Sequence, residues 1–173
     1  MSEQTRNGNA DDDRNGAWKT LVTGLSGAAA LTLTHEIVRQ LVPSAPRMDR
    51  LGMDALSRGL RAVGVPSPRG QRLRGITLAG DLASNALFYA LVRGKGRQSW
   101  LRGAGLGLVA GLGAVLLPGL LGLPRRHAAR TLRTQAMTVA LYTGGGLVSA
   151  AMASFLDRDT VAEPRQLPRR TGV

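Results

Sequence analysis

The sequence contains no cysteine, and its 173 residues include only two histidines and six aromatic side chains. Without cysteine, the protein can form no disulfide, no catalytic thiolate and no cysteine metal ligand. His35 and His127 are too few to hold a metal ion without help from carboxylates. We therefore expect neither a metal site nor a cofactor, and no residue pattern identifies a catalytic group.

Lysine is also scarce, because only Lys19 and Lys95 accompany the arginines in a chain of net charge +12. Such a charge often indicates a nucleic-acid partner. Here the basic loops lack the aromatic side chains on which bases would stack, so we expect no nucleic-acid binding. The arginines lie between apolar segments, where their planar side chains suit the phosphates of anionic lipid headgroups. The predicted partner is a lipid bilayer.

Charge is absent from two long stretches, residues 103–124 and 134–156. Each is long enough, at about 1.5 Å per helical residue, to cross a hydrocarbon layer of about 30 Å. A soluble helix that is apolar on all sides needs a larger protein around it than 173 residues supply. The distribution of charge therefore predicts an all-α integral membrane protein that crosses the bilayer more than once.

Four transmembrane helices are predicted within a membrane domain of residues 17–156, at about 18–42, 75–92, 103–123 and 134–156. The polar residues 1–16 and the basic residues 157–173 are expected to be disordered tails. The first loop should hold an amphipathic helix, at about 46–65, lying in the headgroup plane. A helix packed on a soluble partner remains the alternative for that segment.

Aromatic residues support the count of four crossings. With four, all of them except Tyr142 lie near one membrane face, where amphipathic rings are favoured. Trp18, Tyr89 and Trp100 are the expected interfacial anchors. The basic residues are divided almost equally between the two faces, so the positive-inside rule predicts no orientation.

Small residues recur every fourth position in the apolar segments. Helix packing is predicted at Gly103, Gly107, Gly111, Gly146 and Ala150, since small residues allow helix backbones to approach closely in lipid. The pattern leaves open whether the partner helix belongs to the same chain or to a second copy in a homo-oligomer.

A cluster of polar residues interrupts the first two apolar segments. It comprises His35, Glu36 and Arg39 in the first segment, with Asp81 and Asn85 in the second. Glu36 precedes the end of its helix by as many residues as Asp81 follows the start of the next. Antiparallel helices would therefore hold both carboxylates roughly 9 Å below the same surface.

Charges at that depth are costly unless they are paired or hydrated. In one interpretation, Arg39 pairs with Asp81 or Glu36 and locks the first two helices together. In the other, Glu36 and Asp81 exchange protons or ions, with His35 as a relay. A metal site built from His35, Glu36 and Asp81 has too few distinctive ligands to be favoured.

The segments THEIVRQLVPSAPRMDRLGMDAL and GDLASNALFYALV resemble those of a group of small bacterial multi-pass membrane proteins. The shared features are a His-Glu pair late in the first helix, a Pro-Arg-Met-Asp loop and an aspartate with an asparagine in the second helix. The resemblance covers roughly residues 24–154 and implies membrane residence, without implying an activity. The layout is more loosely similar to that of YagU-type inner-membrane proteins, and the resemblance implies the inner membrane as the location.

The sequence thus favours a non-enzymatic structural or accessory membrane component. The first alternative is a small transporter or channel component that handles protons or cations through the His35, Glu36 and Asp81 cluster. The second is a lipid-modifying enzyme that uses the same carboxylates as acid and base.

Overall fold

The computed structural model describes residues 3–94, 96–124 and 130–158, with side chains described from Arg14 onward. This part of the chain is all-α and contains no strand. Its five helices are α1 (Glu3–Leu41), α2 (Met48–Ala62), α3 (Gly70–Ala90), α4 (Arg97–Leu120) and α5 (Leu132–Arg158).

Within the described residues, three stretches are long and apolar enough to cross a membrane: Arg14–Leu41, Arg97–Leu120 and Leu132–Arg158. Large apolar side chains on these helices face outward, and Leu33 and Leu120 are 63% and 81% exposed. In water such exposure would be unfavourable, whereas in a bilayer these side chains contact lipid. The protein is therefore a helical membrane protein in its composition and surface.

The helices extend further than their apolar segments predict. α1 begins at Glu3, not near residue 18, so the expected disorder of residues 1–16 is replaced by helix from Glu3 onward. No proline interrupts this segment, and acidic residues near a helix N-terminus are favoured by the helix dipole. α3 and α4 likewise begin five and six residues before their predicted starts, because arginine is a good helix former. The expectation for the C-terminal tail lies outside the described residues beyond Arg158.

α2 lies across one end of the bundle, at the turn between α1 and α3. Pro43 and Pro46 separate it from α1, since proline cannot continue a regular helix. Its Leu51 is buried, and Gly52 lies close to the methyl group of Thr77 on α3. At its other end, Arg58 donates a hydrogen bond to the carbonyl of Gly122, just after α4. The first loop therefore covers the ends of three helices.

Contacts at the helix ends define two opposite faces of the bundle. At the α2 face, Thr134 at the start of α5 donates to the carbonyl of Ser44, just after α1. At the opposite face, Lys19 near the start of the α1 span donates to the carbonyl of Leu156 at the end of α5. Arg93, just after α3, bonds Gly16 on α1 at this same face. Helices α1 and α4 consequently run in one direction, and α3 and α5 in the other.

α4 and α5 approach so closely that their backbones are in contact. A Cβ atom added at Gly107 would lie 2.6 Å from the Cα of Thr143, and one at Gly111 would lie 2.7 Å from the Cα of Val139. Gly103 lies directly against Gly146 and the side chain of Ala150. Only glycine fits at these three points. Their spacing of four residues places them on one side of α4, and that side packs against α5.

α1 packs against both α3 and α5 by the same means. Gly24 faces the backbone of Ala86 on α3, and Gly27 faces Gly145 and Ser149 on α5. Where α3 and α5 meet, the hydroxyl of Tyr89 donates a 2.7 Å hydrogen bond to the carbonyl of Tyr142. The bundle is therefore held by small residues and by a tyrosine hydrogen bond.

Replacing Gly107 by alanine should destabilise the protein, because the new methyl group would overlap the α5 backbone. We expect a loss of about 1–3 kcal/mol, the usual cost of overpacking. The matched control is Gly105→Ala on the same helix, where the added Cβ would meet no atom within 4 Å. Thermal unfolding in mild detergent measures both variants. Equal behaviour of the two would show that the contact between α4 and α5 is not close.

Candidate functional site

A cavity of about 90 Å³ lies between α1, the first turn of α2 and the first half of α3. We call it the interhelical pocket. Its lining is made up of Thr32, His35, Glu36, Arg39, Pro46, Met48, Asp49, Arg74, Thr77, Leu78 and Asp81. A buried water needs roughly 10–15 Å³ in the same measure, so the pocket has room for several waters. It brings together four of the five residues of the predicted polar cluster.

Arg39 forms the ion pairs of the pocket. It contacts the carboxylate of Glu36 one turn earlier on α1, and one of its nitrogens lies 3.9 Å from the carboxylate of Asp49. Gln40 also donates a 3.3 Å hydrogen bond to Glu36. The pair with Glu36 lies within one helix and cannot join two helices, whereas the contact with Asp49 connects α1 to α2.

Asp81 is half-buried in the wall of the pocket and takes part in neither of these ion pairs. Its backbone carbonyl accepts hydrogen bonds from Asn85 at 2.9 Å and from Ser84 at 3.1 Å. The anticipated pair between Arg39 and Asp81 is therefore not formed among the described residues. Asn85 is buried and directed back to its own helix, outside the pocket lining.

His35 lies between the pocket and the interior of the bundle. Its Nδ1 is 3.1 Å from the carbonyl of Leu31, and a carbonyl can only accept, so Nδ1 carries a hydrogen. Its Nε2 is buried without a hydrogen-bond partner among the described atoms. The ring packs edge-on against Tyr142, with 5.6 Å between the centroids. In the neutral imidazole, Nε2 is therefore an available proton acceptor.

Beyond His35, buried polar side chains continue through the bundle towards the opposite face. We call this series the polar seam, and its members are Tyr142, Tyr89, Ser149, Thr23 and Lys19. The hydroxyls of Thr23 and Ser149 are buried without hydrogen-bond partners in the described structure. A buried unpaired hydroxyl is costly, and a water is the usual remedy.

The aromatic anchors divide into two kinds. Trp18 and Trp100 are 44% and 45% exposed near the face opposite α2, as interfacial anchors require. Tyr89 is fully buried at the junction of α1, α3 and α5, so its assignment as an interfacial anchor is wrong. Its hydroxyl finds a carbonyl acceptor inside the protein, which makes burial favourable.

Sequence reasoning missed two charged members of the pocket and most of the polar seam. Asp49 lies in the segment predicted to be an amphipathic helix, and Arg74 lies in the loop predicted after it. Neither sequence pattern indicates that these side chains line a pocket, because their position there follows from the fold. On α1, however, Lys19 and Thr23 lie four residues apart and therefore on one side of the helix, which was a usable signal that both side chains are buried there.

No group of three or more histidine, aspartate or glutamate side chains is arranged to hold a metal ion within the described ranges. Comparison with family models, curated proteins and solved structures found no match to this chain. The resemblance to small bacterial membrane proteins therefore stays a prediction.

Proposed function

We propose that this is a four-span, non-enzymatic membrane protein of the inner membrane that moves protons between the interhelical pocket and the opposite face. Asp81 is the exchanging carboxylate and His35 is the relay. The single observation that carries the proposal is the position of Asp81, in the wall of a cavity large enough for water and in neither ion pair of that cavity.

The direction of the helices supports a fourth crossing by α3. Since α1 and α4 run in the same direction, the chain must return across the bilayer between them, and α3 is the long helix in that interval. Its 21 residues measure about 32 Å at 1.5 Å each, enough for the hydrocarbon layer. Its polar residues keep it out of the three stretches that qualify as spans by length and composition, and Asp81 lines the pocket instead of facing lipid.

A purely structural role for the polar cluster does not account for the position of Asp81 in the wall of the cavity. Gly24 on α1 already lies against the α3 backbone, so the two helices need no ion pair to stay together. Intramembrane carboxylates are expensive and usually face water-filled cavities that serve transport. Asp81 fits that description, whereas Arg39 is engaged in fixing α2 through Asp49.

The polar seam supports a route for the proton beyond the pocket. Lys19 and His35 are separated by sixteen residues on α1, or about 24 Å along the helix, which is most of the hydrocarbon thickness. Lys19 and Thr23, four residues apart on α1, lie about 6 Å from each other, too far for a direct hydrogen bond. A proton moving along the seam therefore needs bridging waters, and the hydroxyls of Thr23 and Ser149, which have no partner among the described residues, are polar sites for such waters.

The fourth crossing can be tested by cysteine labelling, because the chain has no native cysteine. Single substitutions Arg69→Cys and Gln98→Cys flank α3 at exposed positions. In oriented vesicles, a membrane-impermeant maleimide should label the two positions from opposite sides. Labelling of both from the same side would show that α3 does not cross.

Proton movement should be measured with purified full-length protein in liposomes that contain a pH-sensitive dye. Under an imposed pH gradient, with potassium and valinomycin to balance charge, wild type should dissipate the gradient faster than protein-free vesicles. Asp81→Asn should bring the rate to within about twofold of the protein-free value, because an amide cannot exchange a proton in this range. His35→Gln should slow the rate as well.

The matched control is Asp54→Asn, which removes a carboxylate of α2 that lines neither the interhelical pocket nor the polar seam. This variant should conduct as wild type does. Wild-type flux no greater than that of empty vesicles would refute proton movement and favour an accessory role. Equal flux in wild type and Asp81→Asn would remove Asp81 from the mechanism.

A further inference from the structure

A second cavity, of about 260 Å³, lies on the α2 face between the loop after α1 and the start of α5. We call it the arginine pocket. Arg47, Arg50 and Arg130 line it together with Ser44 and Thr134. Its described lining contains no carboxylate, and it shares no lining residue with the interhelical pocket. Three cations therefore border one cavity with no carboxylate among the residues that line it.

Two polar groups of this cavity are incompletely satisfied. The Nε of Arg47 and the hydroxyl of Ser44 are buried and have no hydrogen-bond partner in the described structure. The hydroxyl of Thr134, in contrast, donates a 3.0 Å hydrogen bond to the carbonyl of Ser44 and so fixes the start of α5 against the loop. A buried guanidinium N–H without an acceptor is costly, and an acceptor brought by a ligand would remove that cost.

We propose that the arginine pocket binds a phosphate group. Several guanidinium groups can each donate two parallel hydrogen bonds to the oxygens of one phosphate, and the hydroxyl of Ser44 supplies a further donor. At roughly 10–15 Å³ per water, the cavity has room for about twenty waters, so a phosphate fits with part of its hydration. The proposal does not depend on proton movement through the other pocket.

The position of the cavity allows two sources for the phosphate. It lies just beyond Leu41 and Leu132, at the ends of α1 and α5, which is the level of lipid headgroups if these helices span the bilayer. Basic pockets at this level commonly receive anionic headgroups. A free phosphate from the adjoining aqueous phase would meet the same donors.

Binding should be measured on the purified full-length chain in a neutral maltoside detergent at constant ionic strength. Three probes are titrated: dihexanoyl phosphatidic acid, inorganic phosphate, and dihexanoyl glycerol, which has the same acyl chains without the phosphate. Wild type should bind phosphatidic acid and show a rise in melting temperature, with no rise for dihexanoyl glycerol. If inorganic phosphate also binds, the phosphate group alone is sufficient. If inorganic phosphate does not bind, the lipid is the source of the phosphate group.

Arg47→Gln and Arg130→Gln should each weaken phosphatidic acid binding by about tenfold or more, because each variant removes the free energy of one charge-assisted hydrogen bond. Arg130 is exposed, so its variant keeps the test available if Arg47→Gln does not fold. The matched control is Arg61→Gln on α2, an exposed arginine outside the cavity that should bind as wild type does. Equal weakening by Arg61→Gln, or equal binding of dihexanoyl glycerol, would overturn the proposal, as would binding of neither anion.

Discussion

Close contact between helix backbones at small residues is the interaction on which the rest of this structure depends. Inside a bilayer, apolar side chains gain nothing by leaving lipid for protein, so helices associate by packing and by hydrogen bonds. Glycines provide that packing at each main interface: Gly107 between α4 and α5, Gly24 between α1 and α3, and Gly27 between α1 and α5. Side chains such as Leu33 and Leu120 are left to face lipid.

This mode of packing determines what the polar residues can do. Backbone and side-chain polar groups within the hydrocarbon must be satisfied inside the protein. Thr138 meets this requirement locally, by donating a 2.9 Å hydrogen bond to the carbonyl of Thr134 on its own helix. His35 does not, because its Nε2 is buried without a partner among the described atoms, and the side chain of Asp81 lines a cavity. With the helices already held by glycines, these two groups are not needed to hold the bundle together, which is the premise of the proposed proton movement.

The sequence was most informative where a single physical rule acted alone. Charge-free runs indicated α4 and α5, and glycines four residues apart indicated where their backbones would meet. Counting residues from the helix ends put Glu36 and Asp81 at similar depth, and both line one pocket. Prediction failed where tertiary contacts determine which side chains are buried and which contact each other. The burial of Tyr89 depends on a carbonyl of α5, and the part played by Asp49 depends on how α2 folds over the ends of its neighbours.

The thermal stability of Asp81→Asn relative to wild type, in mild detergent, tests the central claim most directly. If glycine contacts hold the bundle and Asp81 is outside its ion pairs, removing the charge should leave the stability unchanged or raise it, because a carboxylate outside an ion pair costs free energy to bury. Breaking a buried ion pair would instead cost about 3–5 kcal/mol. A loss of that size would contradict the account and make Asp81 part of the structural framework.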